Sequence, residues 1–171
     1  MTAQDFCQNF SRNADIFLQQ LFKKCDEAQV QLKPHWLIDH LCYRVPSTDL
    51  YLKNKKSFSQ LGTLLIESEI NGRPISTYKL HTPLKFRHYS IELVELPAPK
   101  PGKLNLHGFE HAEIVCDSSF EEIKRMFPNC QFDESGLKKA INPELEITFG
   151  ELALKFHHQS LEQVIKLELA T

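Results

Sequence analysis

The spacing of hydrophobic side chains changes along the chain, and each change marks a predicted element. Near the N-terminus, apolar side chains recur at helical spacing: Phe6, Phe10, Phe17 and Leu21. This pattern predicts an amphipathic helix with Thr2 and Asp5 as a capping pair. We expect the helical region to end by Pro34. From Trp36 onward the spacing becomes two, which is typical of β-strands.

The first alternating segment is DHLCYRVPS. Alternation places His40 and Arg44 on one face of the predicted strand. Ser47 is suited to cap a helix that runs to Gly62, where a positive φ would suit a helix stop. The segment therefore predicts a strand followed at once by a helix.

A hairpin and one further strand follow this helix. Asn71-Gly72 is the strongest short hairpin signal in the chain, and it separates TLLIESEI from PISTYKL. HYSIELVEL then predicts a last strand before the proline-rich connector PAPKPG, which cannot continue a sheet. The predicted order up to the connector is strand, helix, strand, strand, strand.

The same order starts again at EHAEIVCDS, 71 residues after DHLCYRVPS. Ser118 with Glu121 predicts a capping box for a short helix, and Ser160 with Gln163 predicts another for a closing helix. QFDESGL, ELEITFGE and LALKFHH are the strands expected between them. The two orders together predict an α+β fold. It comprises two tandem βαβββ modules that form a cupped mixed sheet, with an N-terminal helical extension and a C-terminal helix.

The predicted division is an extension at 1–35, a first module at 36–100 and a second module at 101–171, all in one compact unit. The chain of 171 residues, 42% of them hydrophobic, is sufficient for a packed core. A net charge of −2 gives little support for binding nucleic acid. We find no signal peptide and no membrane-spanning segment, so a cytoplasmic protein without a membrane partner is expected. Five cysteines without CxxC spacing predict reduced thiols.

Candidate metal ligands come from the repeat. His40 and His111 hold the same place in the two modules, so pairing of the modules would bring them into symmetry-related positions. Glu92 and Glu95 lie three apart on the last strand of module one and face opposite sides, and we favour Glu92 because its neighbours can pack. In module two the corresponding strand offers His157. Such a set suits a divalent transition metal, namely zinc, iron, nickel or manganese.

Other side chains are candidates for substrate contact or proton transfer. Arg44 and Arg73 could each hold a carboxylate or phosphate of a small-molecule substrate, although a surface salt bridge is the simpler role. Glu113 shares the face of His111 and is a candidate acid or base. Cys42 is expected to line the core or cavity. Any single strand histidine is more often structural than metal-binding, and it is the repetition that favours ligands.

The segments IDHLCYRV, NGRPISTYKL, IELVELPAPK, GFEHAEIV and LKFHH resemble the YecM family of bacterial proteins. That family is similar to the vicinal oxygen chelate superfamily, in which paired βαβββ modules surround a metal. The resemblance implies ligands at His40, His111 and Glu92. LALKFHH departs from the superfamily pattern, because it offers His157 where glutamate is commoner.

These features together predict a metal-dependent enzyme that chelates two oxygens of a small metabolite, with isomerase or lyase chemistry favoured over oxygenase chemistry. The alternative is a non-catalytic module that binds a small molecule or a metal on the same fold. Metal occupancy separates the two, because the enzyme needs a tightly held ion with an open position. The sequence has no pattern that sets the oligomeric state.

Overall fold

The computed structural model describes residues 3–102 and 106–170, with side chains from Phe6 onward. The predicted capping pair of Thr2 and Asp5 falls outside the described side chains. The helices are α1 (Ala3–Glu27), α2 (Thr48–Leu61), α3 (Phe120–Met126) and α4 (Leu161–Leu169). The strands are β1 (Leu37–Arg44), β2 (Gly62–Ile70), β3 (Arg73–Phe86), β4 (Tyr89–Pro97), β5 (Gly108–Val115), β6 (Phe132–Asp133), β7 (Leu145–Phe149) and β8 (Leu152–His157). Both predicted βαβββ orders are thereby confirmed.

The chain forms two compact units. Unit 1 comprises the part of α1 up to Phe17 together with His40–Glu110. Unit 2 comprises Leu18–Asp39 and the chain from His111 onward. The helix α1 therefore supplies residues to both units, whereas the predicted division assigned the N-terminal helix to an extension of its own. No helix in the described part of the chain is long and apolar enough to cross a membrane.

Each unit builds its strands in the same order. In unit 1 the hydrogen-bonded order is β2, β3, β4, β1, and in unit 2 it is β6, β7, β8, β5. The first and last strands of each module are parallel, whereas the other neighbours are antiparallel. A parallel pair needs a crossover, which α2 and α3 help to provide. The predicted α+β class with mixed strand pairing is confirmed.

The core of unit 1 is rich in aromatic rings. Phe58 of α2 is fully buried and meets Phe10, Tyr43 and Tyr78 edge-on, with ring centroids 5.3 to 5.6 Å apart. Phe109 also packs edge-on against Tyr43 at 5.1 Å. Such pairs add stabilisation beyond the area they bury. They hold α1 and α2 against the strands of this unit.

Two turn predictions for unit 1 have different outcomes. Asn71 and Gly72 adopt φ of 53° and 73° between paired strands, so the hairpin is confirmed. Gly62 follows α2 as expected, but its φ of −166° is extended, so the expected positive φ is wrong. A Cβ at Gly62 would lie 2.3 Å from the carbonyl oxygen of Lys79. Glycine is therefore needed there for close strand approach.

The helix caps of unit 2 follow the sequence signals with one shift. Ser160 and Gln163 form the predicted capping box of α4. The box of α3 is formed by Ser119 and Glu122, one residue later than the predicted pair. Ser118 is instead buried and accepts a hydrogen bond from Lys33 Nζ at 2.7 Å. Two adjacent serines gave the sequence two overlapping capping patterns.

The segment before β1 is fastened within unit 2. Trp36 is buried, and its Nε1 donates to Asp117 Oδ1 at 2.8 Å, while His35 Nε2 lies 3.0 Å from Asp117 Oδ2. The hydrogen bonds from Trp36 and His35 lower the pKa of Asp117 to about 2. These contacts hold the segment that leads into β1, where Asp39 lies.

A carboxylate network joins α2 to the hairpin in unit 1. Glu67 accepts hydrogen bonds from Tyr51 Oη at 2.6 Å, from Ser76 Oγ at 2.7 Å, and from Lys55 Nζ. The bonds from Lys55, Tyr51 and Ser76 lower the pKa of Glu67 from 4.5 to about 2. The side chain is 35% exposed, so solvent weakens the effect on stability.

Truncation to alanine should cost more stability on the buried face of α1 than on its exposed face. Leu21 is 0% exposed and Ile16 is 42% exposed. We expect Leu21→Ala to lower the free energy of unfolding by about 3 kcal/mol, because it removes transfer energy and leaves a cavity. Ile16→Ala, the matched control, should cost less than about 1 kcal/mol. Urea denaturation followed by circular dichroism measures both, and equal losses would contradict the packing of α1.

The Glu67 network predicts a defined pH dependence of stability. Since the folded pKa of Glu67 is depressed, its contribution is present above pH 4.5 and is lost as the pH falls toward 2. Glu67→Gln should therefore flatten the pH dependence of the unfolding free energy in that window. Denaturation series between these pH values measure it. Glu69→Gln, an exposed change on the same strand, serves as control and should keep the parent slope.

Candidate metal centre

Each module places one histidine at the same point of its first strand. His40 in β1 and His111 in β5 are both 2% exposed. In register, His40 is paired with Leu93 and His111 with Ala153. The repeat seen in the sequence is therefore a repeat of strand position and burial within the two units.

In unit 1 the carboxylate beside His40 is Glu95. Its Oε2 lies 3.8 Å from His40 Nε2, and its side chain is 17% exposed. Glu92, the favoured ligand of the sequence analysis, is 50% exposed and lies 3.4 Å from Lys79 Nζ. The two glutamates are three residues apart on one strand, so only one can share the face of His40. The carboxylate that lies beside His40 is therefore Glu95 rather than Glu92, and metal binding by either glutamate stays a prediction.

The two arginines predicted to contact substrate lie in unit 1 with protein partners. Arg44 forms a salt bridge with Glu110. Its Nε donates to Oε1 of Glu110 at 3.0 Å, and its Nη2 lies 2.9 Å from the same oxygen. Arg73 is buried and donates from Nη1 to the carbonyl oxygen of Ala98 at 2.6 Å. Burial, and then the charge of Arg44, lower the pKa of Arg73. Substrate contact by either arginine stays a prediction.

In unit 2 a buried carboxylate contacts two histidines. Glu113 Oε1 lies 3.2 Å from His111 Nε2, and Glu113 Oε2 lies 3.4 Å from His157 Nε2. All three residues are buried. The two predicted histidines of module two and the predicted acid or base are thus brought together in one cluster.

The orientation of His157 is set by its second ring nitrogen. Nδ1 lies 2.5 Å from the carbonyl oxygen of Gln159, which can only accept, so we assign the ring proton to Nδ1. Asn142 holds this turn, accepting from Gln159 N at 3.1 Å and donating to its carbonyl at 2.9 Å. Nε2 is consequently the atom directed toward the carboxylates. Metal-binding histidines commonly carry such a backbone hydrogen bond.

Asp39 is a second carboxylate at His157. Its Oδ2 lies 3.7 Å from His157 Nε2 and accepts a hydrogen bond from Leu161 N at 2.8 Å. The side chain is 7% exposed. The backbone contact at the start of α4 fixes this carboxylate, so its position does not depend on the histidine alone.

Lys155 compensates the negative charge of this region. Its Nζ lies 3.0 Å from Glu144, 3.7 Å from Glu146 and 3.8 Å from Glu113. Burial opposes the charged form, but the three carboxylates outweigh it and raise the pKa of Lys155. Glu144 also contacts Lys139 at 2.6 Å. Burial and Glu113 act to raise the pKa of Glu144, yet the two lysines lower it overall. Lys155 is therefore cationic in the fold.

Sequence reasoning missed part of this cluster. Asp39 was visible in the repeat, since an acidic residue precedes the histidine in both copies. Glu144 and Lys155 had no signal that linked them to Glu113, because only the pairing of β5, β7 and β8 brings these segments together. Asn142 was missed because its contacts are with the turn at Gln159. His107, a further histidine just before β5, is exposed and its ring packs edge-on to Tyr43 at 5.7 Å.

The donor atoms of unit 2 fit a divalent transition metal. Ligand atoms around a tetrahedral ion with bonds of about 2.0–2.1 Å lie about 3.3 Å apart. The distances from Glu113 to His111 and His157 are 3.2 and 3.4 Å. Imidazole nitrogen with carboxylate oxygen is the donor set that zinc, iron and manganese accept in proteins. The donor types thus match such an ion, and each histidine lies at ligand spacing from one of the two oxygens of Glu113.

Repeated βαβββ modules with a buried histidine on each first strand define a protein of the glyoxalase-like, vicinal oxygen chelate fold class. The family described as "YecM protein" matches residues 7–168, and the chain belongs to this family.

Relatives and a solved structure support this assignment. "Protein YecM" of Escherichia coli (strain K12) is 32% identical over 145 residues, which is 76% of this chain and 77% of the relative. An uncharacterized protein of Haemophilus influenzae is 33% identical over 105 residues, covering 61% and 54% of the two chains. A solved structure described as "Structural Genomics, Protein EC4020" superposes with a TM-score of 0.81 at 29% identity. That superposition covers 98% of this chain and 97% of the other. The similarity thus extends over nearly the whole fold.

Proposed function

We propose that this protein binds a divalent transition metal and uses it on a small metabolite that carries neighbouring oxygen atoms. The observation that carries the proposal is the pair of buried imidazoles facing one carboxylate in unit 2, with Nδ1 of His157 on a backbone carbonyl. Both ring nitrogens of a buried histidine need polar partners, and Nδ1 of His157 already has the Gln159 carbonyl. Here His157 directs Nε2 toward two carboxylates, which is the arrangement of a ligand.

The proposed ligands of unit 2 are Glu113, His111 and His157, with Asp39 as a further carboxylate. Glu113 has two oxygens that face different partners. One oxygen can therefore bind the ion while the other takes up a substrate proton. Glu113 would then serve both as a metal ligand and as the acid or base that the sequence predicts.

Unit 1 carries its own buried histidine and carboxylate, His40 and Glu95. Their separation of 3.8 Å is longer than the contacts of Glu113, so we rank this pair as the second candidate for metal binding. Separate variants in the two units distinguish their contributions.

The chemistry follows from the donor set. When bound, a divalent ion would polarise substrate oxygens and stabilise negative charge that develops on them. Glu113 would hold or move the proton at the neighbouring carbon. Burial of the histidines limits access of water to the cluster. We favour isomerase or lyase chemistry because Glu113 could move a substrate proton, while an oxygenase would use the same ligand types.

Metal content is the direct test of the proposal. Protein purified without chelators and without a histidine tag should contain about one equivalent of a divalent transition metal per chain. His157→Ala and Glu113→Gln should lose most of it, because each removes a donor atom. Elemental analysis by mass spectrometry measures the metal.

Neighbouring and second-unit variants complete this test. His158→Ala is the matched control, since His158 is exposed and adjoins His157 in the chain. His40→Ala reports on unit 1. A parent without metal after reconstitution, or unchanged metal in His157→Ala and Glu113→Gln, contradicts the proposal. Circular dichroism verifies that each variant is folded.

Proton exchange tests the catalytic part. The reconstituted protein in deuterium oxide should exchange the carbon-bound protons of a 2-hydroxycarbonyl probe, dihydroxyacetone. Exchange should be faster than with Glu113→Gln by about a hundredfold, the scale of general base catalysis. Proton NMR follows the loss of signal. Equal rates in parent and variant would contradict catalysis by Glu113, and metal binding without exchange would favour a non-catalytic module.

A further inference from the structure

The strand register allows the two modules to be compared residue by residue. In unit 1, His40 is paired with Leu93 and Cys42 with Glu95. In unit 2, His111 is paired with Ala153 and Glu113 with Lys155. The residue two positions after each histidine is Cys42 in module one and Glu113 in module two. Its partner on the last strand is Glu95 in module one and Lys155 in module two. A cation thus stands where the first module has a carboxylate.

Lys155 is held in this place by a buried network. Its side chain is 13% exposed and lies within 4 Å of Glu113, Glu144 and Glu146. Isolated surface lysines do not collect three carboxylates, because side-chain entropy opposes a fixed position. The charge of Lys155 is therefore part of the cluster and acts at a short distance on Glu113.

The backbone around Glu144 is also fitted to this network. A Cβ at Gly136 would lie 2.4 Å from Glu144 Cγ and 2.8 Å from its carbonyl oxygen. Glu144 N donates to the carbonyl of Gly136 at 3.2 Å. Close packing at glycine thus sets the position of Glu144, which in turn contacts Lys155 at 3.0 Å.

We propose that Lys155 is a built-in cation that stands opposite Glu113 in the strand register and limits the affinity of the His111, Glu113 and His157 cluster for divalent metal. The inference rests on the proposed function. An ammonium 3.8 Å from Glu113 Oε1 competes for this carboxylate and repels a second cation nearby. The cluster should therefore hold its ion more weakly than its donor atoms alone would.

Zinc titration of Lys155 variants tests this inference. Lys155→Met removes the charge and keeps the length of the side chain, so the zinc dissociation constant should fall by about tenfold or more. Lys155→Arg keeps the charge and should leave the constant within about threefold of the parent. Competition with a chromophoric chelator, on metal-free full-length protein, measures the dissociation constant.

Two further variants keep the test decisive. Lys155→Met leaves buried carboxylates without a partner and can destabilise the fold. The double variant Lys155→Met with Glu144→Gln removes one charge of each sign and should still bind zinc more tightly than the parent. Lys139→Met, which removes the other lysine at Glu144, is the control and should change the affinity less than Lys155→Met.

The outcomes separate this inference from the proposed function. Unchanged or weaker zinc binding in both Lys155→Met variants overturns the inference, while binding by the parent through His157 leaves the proposed function standing. Zinc binding by the variants but not by the parent supports the inference and contradicts metal binding by the natural protein. Absence of zinc binding in the parent and in all variants overturns both.

Discussion

The parallel pairing of the first and last strand in each module is the constraint on which the site depends. Side chains alternate along a strand, so a shift of one residue in the pairing would turn every ligand candidate to the other face. The observed register places Glu95 two positions beyond His40, and Lys155 two positions beyond His111. The crossover helices α2 and α3 connect the first strand of each module to the rest of its sheet, and the chemistry of each unit follows from the alignment of the parallel pair.

Burial of charge explains why the polar residues of unit 2 form one connected set. An ionised side chain in a protein interior is tolerated only when partners compensate it. Glu113 has two imidazoles and Lys155, and Glu144 has two lysines. Removing a single member leaves another without compensation. Apolar side chains would fill the same volume without the free-energy cost of burying charge. The presence of this set therefore favours a function that needs charge at this place.

Sequence reasoning predicted the modules, the hairpin at Asn71-Gly72 and the matching strand positions of His40 and His111, because these depend on local pattern and on the repeat. It preferred Glu92 because the apolar neighbours of Glu92 can pack and Glu95 lies near the strand end. Apolar residues flank both glutamates, so this pattern did not identify the one that shares the face of His40. It placed the cap of α3 one residue early, since Ser118 and Ser119 offer overlapping patterns. The contacts of Lys155 and Glu144 with the cluster at Glu113 could not be predicted, because they form only when strands that are distant in the sequence pair.

The two modules keep one carboxylate beside each histidine but take it from different strands. In module one the register pair is Cys42 and Glu95, with the acid on the last strand. In module two the pair is Glu113 and Lys155, with the acid on the first strand. A carboxylate on either member of a directly paired position can reach the same histidine, because paired Cα atoms lie only about 5 Å apart. The exchange preserves the donor set while freeing the opposite position in module two, and a lysine rather than a second acid occupies it. The two modules thus differ in the charge at this paired position while their histidines keep the same strand place.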